Sequence, residues 1–142
     1  MRNVLPLLLL ASPAAAWEFS ATPICTLSHT AAAGTITVTY DASLPEYALE
    51  ITLPDGTWPN EQLFGMAFAD DSPINIQTNR HELSNDGRTL MAKDRGFGNV
   101  LAGLEFNSRA YAISGDKTVG FSLDGIKGPM TDFRNCPSVN MS

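Results

Sequence analysis

Large apolar side chains recur along this chain with a period of two. In Thr35-Ile36-Thr37-Val38-Thr39-Tyr40 the apolar residues take alternate positions and threonines take the others. Tyr47, Leu49, Ile51 and Leu53 share one parity in the next run, with Ala48, Glu50 and Thr52 between them. Phe64, Met66 and Phe68 alternate with Gly65, Ala67 and Ala69. Ile74 and Ile76 continue the habit, as do Val119, Phe121 and Leu123. Successive side chains of a strand point to opposite faces, so each run predicts a strand with one face in a core.

Turn chemistry separates the runs. Pro54-Asp55-Gly56 follows one of them. Asn85-Asp86-Gly87 stands between Glu82-Leu83-Ser84 and Thr89-Leu90-Met91, and Gly115-Asp116 between Leu104–Ser114 and Thr118–Leu123. Such pairs signal hairpins, because tight hairpin turns need positive φ. The spacing predicts an all-β fold of eight or nine short strands, a mainly antiparallel sandwich or barrel.

Two segments break the strand period. Asn99 to Gly103 predicts one helical turn, with Asn99 as cap and Gly103 as stop. Gly128 to Cys136 predicts a short C-terminal helix, opened by Pro129 and ended by Pro137. Met130, Phe133 and Cys136 fall three apart, on one face of that helix. That face would pack on the sheet and carry Cys136 toward the strand of Cys25, where Leu27 shares the cysteine's parity.

The N-terminus adds an address. Met1-Arg2-Asn3 is a short basic start, Val4 to Leu10 is apolar apart from Pro6, and Ala14-Ala15-Ala16 offers small residues at a cleavage site. This is the pattern of a Sec-type signal peptide over residues 1–16. Its apolar run is far shorter than the ~20 residues that span a bilayer. The expected product is a single β-rich domain over 17–142, periplasmic or secreted, with no transmembrane segment after cleavage.

The two cysteines, Cys25 and Cys136, fit that address. In an exported chain a lone pair is most simply a disulfide. There is no C-x-x-C, and neither cysteine has a neighbouring His or Lys to activate a thiolate.

Charge narrows the partners. The chain carries 9 Lys plus Arg against 15 Asp plus Glu, a net charge of −6. The imbalance is uneven: Trp17 to Asn79 holds acids and no Lys or Arg, and Arg80 is the first base after Arg2. Such a surface is repelled by phosphate backbones and anionic lipid, which excludes nucleic acid as the expected partner.

No catalytic template is met. His29 and His81 are the only histidines, so neither H-x-H nor H-E-x-x-H occurs, and a protein-only zinc site lacks ligands. Both are expected to face solvent from strands. No G-x-S-x-G, S-x-x-K, G-x-x-x-x-G-K-[ST] or G-x-G-x-x-G is present. Asp70-Asp71-Ser72 lacks the spaced ligands of a calcium loop and reads as a charged turn. No catalytic, cofactor or metal residue is therefore assigned, and no cofactor is expected.

The most unusual string is Lys93-Asp94-Arg95-Gly96-Phe97-Gly98-Asn99, two glycines around an aromatic residue after two bases. As a loop it would present Arg95, Phe97 and Asn99 to a partner, since arginine and aromatic residues carry interfaces. The preferred reading is plainer: the glycines turn the chain and Phe97 plugs the end of the core. Trp58, beside Pro59, is a further candidate contact with the same alternative.

The motifs Ala16-Trp17-Glu18-Phe19, Thr22–His29, Asp94–Phe106 and Leu123-Asp124-Gly125 before Cys136 resemble a group of uncharacterised short exported proteins of marine alphaproteobacteria. The resemblance spans nearly all of residues 17–142 and implies an envelope address, not an activity. Members of the group sometimes carry the label of an excinuclease ABC component. A DNA-repair helicase of that kind needs a P-loop and several domains, and neither is legible here, so the label is misleading. The Leu-x-Gly-then-Cys ending is loosely similar to invasion-associated locus B proteins.

The expected role is a non-enzymatic binding or envelope-associated domain, with another envelope or secreted protein as partner. Two other readings stay open: a hydrolase-type enzyme with a non-standard carboxylate site, and an inhibitor or accessory component of another exported protein. A deep cleft lined by converging acids and His81 would favour the enzyme.

Overall fold

The threonine-rich run forms the middle of β3 (Gly34–Asp41), and its neighbours in sequence are its neighbours in space. The computed structural model describes residues 16–140, so the signal peptide expected over 1–16 lies outside the described residues except for Ala16. The strands are β1 (Glu18–Ser20), β2 (Cys25–Ala31), β3, β4 (Glu46–Thr52), β5 (Phe64–Ala69), β6 (Ile74–Thr78), β7 (Glu82–Ser84), β8 (Thr89–Asp94), β9 (Arg109–Ser114) and β10 (Lys117–Ser122). Helix α1 (Gly98–Glu105) joins β8 to β9, and α2 (Lys127–Asn140) follows β10.

The strands form two antiparallel sheets, and no barrel closes. Sheet A has the order β1-β2-β3-β4-β8-β7, and sheet B the order β10-β9-β5-β6. The register keeps one parity inside. Leu27 lies opposite Val38, Val38 opposite Leu49, and Ile51 opposite Leu90, all fully or almost fully buried. The other parity of β2 and β3 puts Thr26, Ser28 and Thr30 opposite Thr39, Thr37 and Thr35 on the outer face. Phe64, Met66 and Phe68 supply sheet B's share of the same buried cluster.

The predicted turns form where positive φ is available. Asn85 and Asp86 both adopt positive φ, 57° and 55°, and the Gly87 N–H donates to Ser84 O at 3.0 Å. Asn and Asp tolerate this conformation better than other side chains, which is why they close the β7–β8 hairpin.

The structure has ten strands among the described residues, where the pattern predicts eight or nine. The added piece is β1, three residues long and too short to show a period. The run Leu104–Ser114 is not one strand. Leu101 and Leu104, three apart and both buried, belong to α1, and β9 begins only at Arg109. Helix α2 runs through Pro137 to Asn140 instead of stopping there. The helix continues past Pro137 although a proline there lacks a backbone donor and crowds the carbonyl of the preceding turn.

Gly103 is not the stop of α1 either. It lies inside the helix, facing the Phe68 ring, and a Cβ there would stand 2.3 Å from the Phe68 Cδ2. The missing side chain lets α1 lie directly on sheet B. Gly103→Ala is expected to cost about 1–3 kcal/mol, as overpacking does, read as a lower urea midpoint at unchanged slope. An unchanged midpoint would show that α1 can lift from the sheet freely.

Helix α2 turns Met130, Phe133 and Cys136 inward, all buried. It packs on β1 and β2. The Cα atoms of Cys25 and Cys136 are 6.1 Å apart and their sulfurs are within bonding distance. The two helices are also joined: Arg134 Nε donates to Glu105 Oε1 at 2.7 Å, and Lys127 Nζ to Glu105 O at 2.9 Å.

Candidate functional site

The string Lys93–Asn99 leaves β8, turns at Gly96 and enters α1. Its Phe97 ring points into the molecule and is 6 % exposed. There it stacks on Tyr47 at 5.3 Å between centroids, and Tyr47 in turn meets Tyr40 at 4.5 Å and Phe133 at 6.3 Å. The loop, sheet A and α2 thus share one aromatic cluster. Burial raises the pKa of the Tyr47 hydroxyl, with the Tyr40 hydroxyl adding to the effect and Arg134 opposing it.

Trp58 is also internal, 3 % exposed. Its Nε1 donates to Ile51 O at 3.0 Å, and its ring meets Phe64 edge-on. Of the four candidate partner contacts, then, only Arg95 and Asn99 are exposed, and Phe97 and Trp58 are built into the core. Burial of the Phe97 and Trp58 rings removes their apolar surface from water.

What the string does form is one wall of a cleft. On this side the two sheets do not close over each other, and a cavity of about 460 Å³ opens between β4 and β8 of sheet A and β5 and β6 of sheet B. Its floor is apolar: Leu49, Phe64, Met66 and Phe97, each a buried core residue, with Ile76 half-buried beside them. Gly96, Gly98, Asn99 and Val100 form the wall contributed by the loop and the start of α1. Arg80, Lys93 and Asp94 stand at the polar end. Arg80 Nη2 lies 3.6 Å from Asp94 Oδ2, an exposed pair that contributes little stability. Helix α1 has no side-chain cap and no acid in its first turn. Its amide-bearing end therefore faces the cleft with its partial positive charge unopposed from within the helix.

Comparison with protein-family models, with curated proteins and with solved structures finds no match to this chain. The chemistry must be taken from the side chains themselves.

The acids do not converge here. Among the described residues Asp94 is the only carboxylate lining the cleft, and His81 is not part of it. His81 is partly buried, its ring 5.9 Å from that of Phe64. His29 is 7 % exposed and stacks on Trp17 at 5.0 Å, where a solvent-facing strand histidine is expected from the sequence. Its parity with Cys25 and Leu27 turns it inward. Trp17 locks this corner, its Nε1 donating to Ser122 O at 3.0 Å. No group of three or more His, Cys, Asp or Glu able to hold a metal occurs among the described residues.

Two acids do share a trough on the outward face of sheet B. Asp70 and Asp124 lie there with Arg109, Tyr111 and Ser108. Asp70 has a positive φ of 108° and accepts a hydrogen bond from the Ser108 hydroxyl. The Arg109 guanidinium is favoured in its charged form by Tyr111 first, then by Asp70 and Asp124. The base thus sits among the acids it would neutralise. The Asp70–Ser72 turn is held from below by Asn107, whose amide accepts from Ser72 N at 2.8 Å and donates to Ser72 O and Gly103 O. A further trough, about 710 Å³, runs over Gly65, Ala67 and Ile113 on the same outward face. Each of these troughs is lined by one core side chain, Phe121 and Met66 respectively, against four for the inter-sheet cleft.

Sequence reasoning picked out the string that walls the cleft but not its floor or Arg80. The floor residues carried a signal, their alternation, but it marks them as core and cannot say that a space remains above them.

Proposed function

We propose that this chain is an exported, non-enzymatic binding domain whose ligand is a small apolar or amphipathic molecule held in the cleft between the sheets. One observation carries the reading: an open space lies between the sheets, backed by core side chains of both and lined by Ile76, Ala92 and Val100, which are only half-buried. Protein interiors are close-packed, with few voids beyond a water molecule. An apolar cleft of about 460 Å³ is of the size small-molecule sites have. A lone carboxylate already facing an arginine, with no histidine beside it, supports binding over acid–base chemistry. The exported address is supported by the signal-like start ending in Ala14-Ala15-Ala16 and by the buried cysteine pair. Among the described residues no helix is long and apolar enough to cross a membrane. An envelope partner would then see the ligand-loaded cleft and the exposed Arg95 and Asn99.

The test is a filled cleft. Ala92 lines the opening opposite Leu49 and is partly buried. Ala92→Phe is expected to abolish binding of an uncharged probe, dodecyl maltoside below its micelle concentration, while the circular dichroism stays native. Binding of that probe by the wild type with methyl shifts at Leu49, Met66 and Ile76 would support the reading. Undisturbed binding in the variant, or shifts confined to another face, would overturn it.

A further inference from the structure

The mouth of the cleft carries the opposite sign to the rest of the molecule. The chain has a net charge of −6, and from Trp17 to Asn79 it has no Lys or Arg. Yet Arg80 and Lys93 line the cleft, and Arg95 stands exposed between the lining residues Asp94 and Gly96. The one carboxylate, Asp94, is engaged twice, by Arg80 Nη2 at 3.6 Å and by the Arg95 backbone N–H at 2.7 Å. Among the described residues neither Lys93 nor the Arg95 side chain has an acidic partner, since the ion pairs are Arg80–Asp94 and Arg134–Glu105. Two cations are thus left over at the polar end of an apolar slot. The uncapped start of α1 adds partial charge of the same sign. In a molecule otherwise negative, a local positive spot draws an anion to this place and repels it elsewhere.

Resting on the reading of the cleft as a ligand site, we propose that its ligand is a single-chain anionic amphiphile of the long-chain carboxylate type. The alkyl chain lies over Ile76, Ala92 and Val100, the half-buried apolar residues of the lining, with Leu49 and Met66 behind them. The head group meets Lys93, Arg95 and the first amides of α1. The apolar floor supplies affinity without regard to charge, and the cationic rim selects the sign.

The experiment compares three probes of equal chain length: dodecanoate, dodecyl maltoside and dodecyltrimethylammonium. Each is titrated into the mature chain by calorimetry below its micelle concentration. The wild type is expected to bind dodecanoate about ten-fold or more tighter than the cationic probe, with the preference shrinking as salt screens the rim. Lys93→Glu/Arg95→Glu changes two exposed residues, so its melting temperature should match the wild type. It is expected to lose that preference while still binding dodecyl maltoside as before. Equal binding of all three probes by wild type and variant would overturn the anionic assignment and leave the cleft reading standing. A preference for the cationic probe would do the same. Failure of every probe to bind would overturn the cleft reading, and this proposal with it.

Discussion

Replacing Cys25 and Cys136 together by alanine is expected to lower the stability of the folded chain by roughly 4–5 kcal/mol in the chain-entropy picture. The size follows from the length of chain enclosed, a sequence separation of 111. An open chain has far more unfolded conformations than one tied so near its ends, and the bond removes that advantage. The bonded pair also sits in full burial, 0 % and 2 % exposed, between β2 and α2. Without it, α2 keeps Met130 and Phe133 as its apolar anchors on sheet A. The variant should therefore lose α2 first. Hydrogen exchange should report faster exchange in Lys127–Asn140 and β1 than in β3 and β4. Urea unfolding of the double variant and the oxidised wild type, side by side, checks the magnitude. Equal midpoints, or two alkylatable thiols in the native protein, would remove the clasp.

Trp58→Ala is expected to cost about 3–5 kcal/mol, the range for deleting a buried aromatic side chain. The indole fills the core beside Phe64, and its Nε1 satisfies Ile51 O, which the deletion would leave in a buried cavity without that donor. The measurement also separates two roles for this residue. A surface contact residue, when truncated, weakens a partner and leaves the fold alone. Trp58 should do the reverse: thermal unfolding of the isolated protein should shift by about ten degrees or more. Trp58→Phe, which keeps much of the apolar bulk but loses the donor and one ring of the indole, should fall between. A thermal shift of a degree or two for Trp58→Ala would put the indole back on the surface.

The second prediction bears on a residue that the sequence marks but whose role it leaves divided. Trp58 and Phe97 each admit a contact reading and a core reading from sequence alone, and burial decides both. His29 shows the same limit from the other side. A histidine at a strand end is expected to face water, yet its parity with Cys25 and Leu27 was a usable signal that it points inward. Gly103 reads as a helix stop because glycine often ends helices. Its actual constraint is a ring on another element, Phe68, thirty-five positions earlier. No local pattern contains that information.

The candidate site was legible in part. Lys93–Asn99 stood out as a string, and it does wall the cleft. Arg80 and the floor residues did not, because the space they surround exists only once the two sheets are placed. A period of two says that Phe64 and Met66 face inward. It cannot say that a cleft opens beside them, between β8 of sheet A and β6 of sheet B.

By itself the sequence determined the class of the fold: alternation set the strands, Asn-Asp-Gly and Gly-Asp set the hairpins, and the helical spacing of Met130, Phe133 and Cys136 set the packing face of α2. These are local properties, fixed by how neighbouring side chains project from a strand or helix. Only the tertiary structure decided that the strands form two sheets and not a barrel, that Phe97 and Trp58 are internal, and that basic side chains gather at the mouth of an apolar cleft. Those outcomes depend on which distant strands pair and where two sheets fail to meet, and such contacts are chosen by the packing of the whole chain.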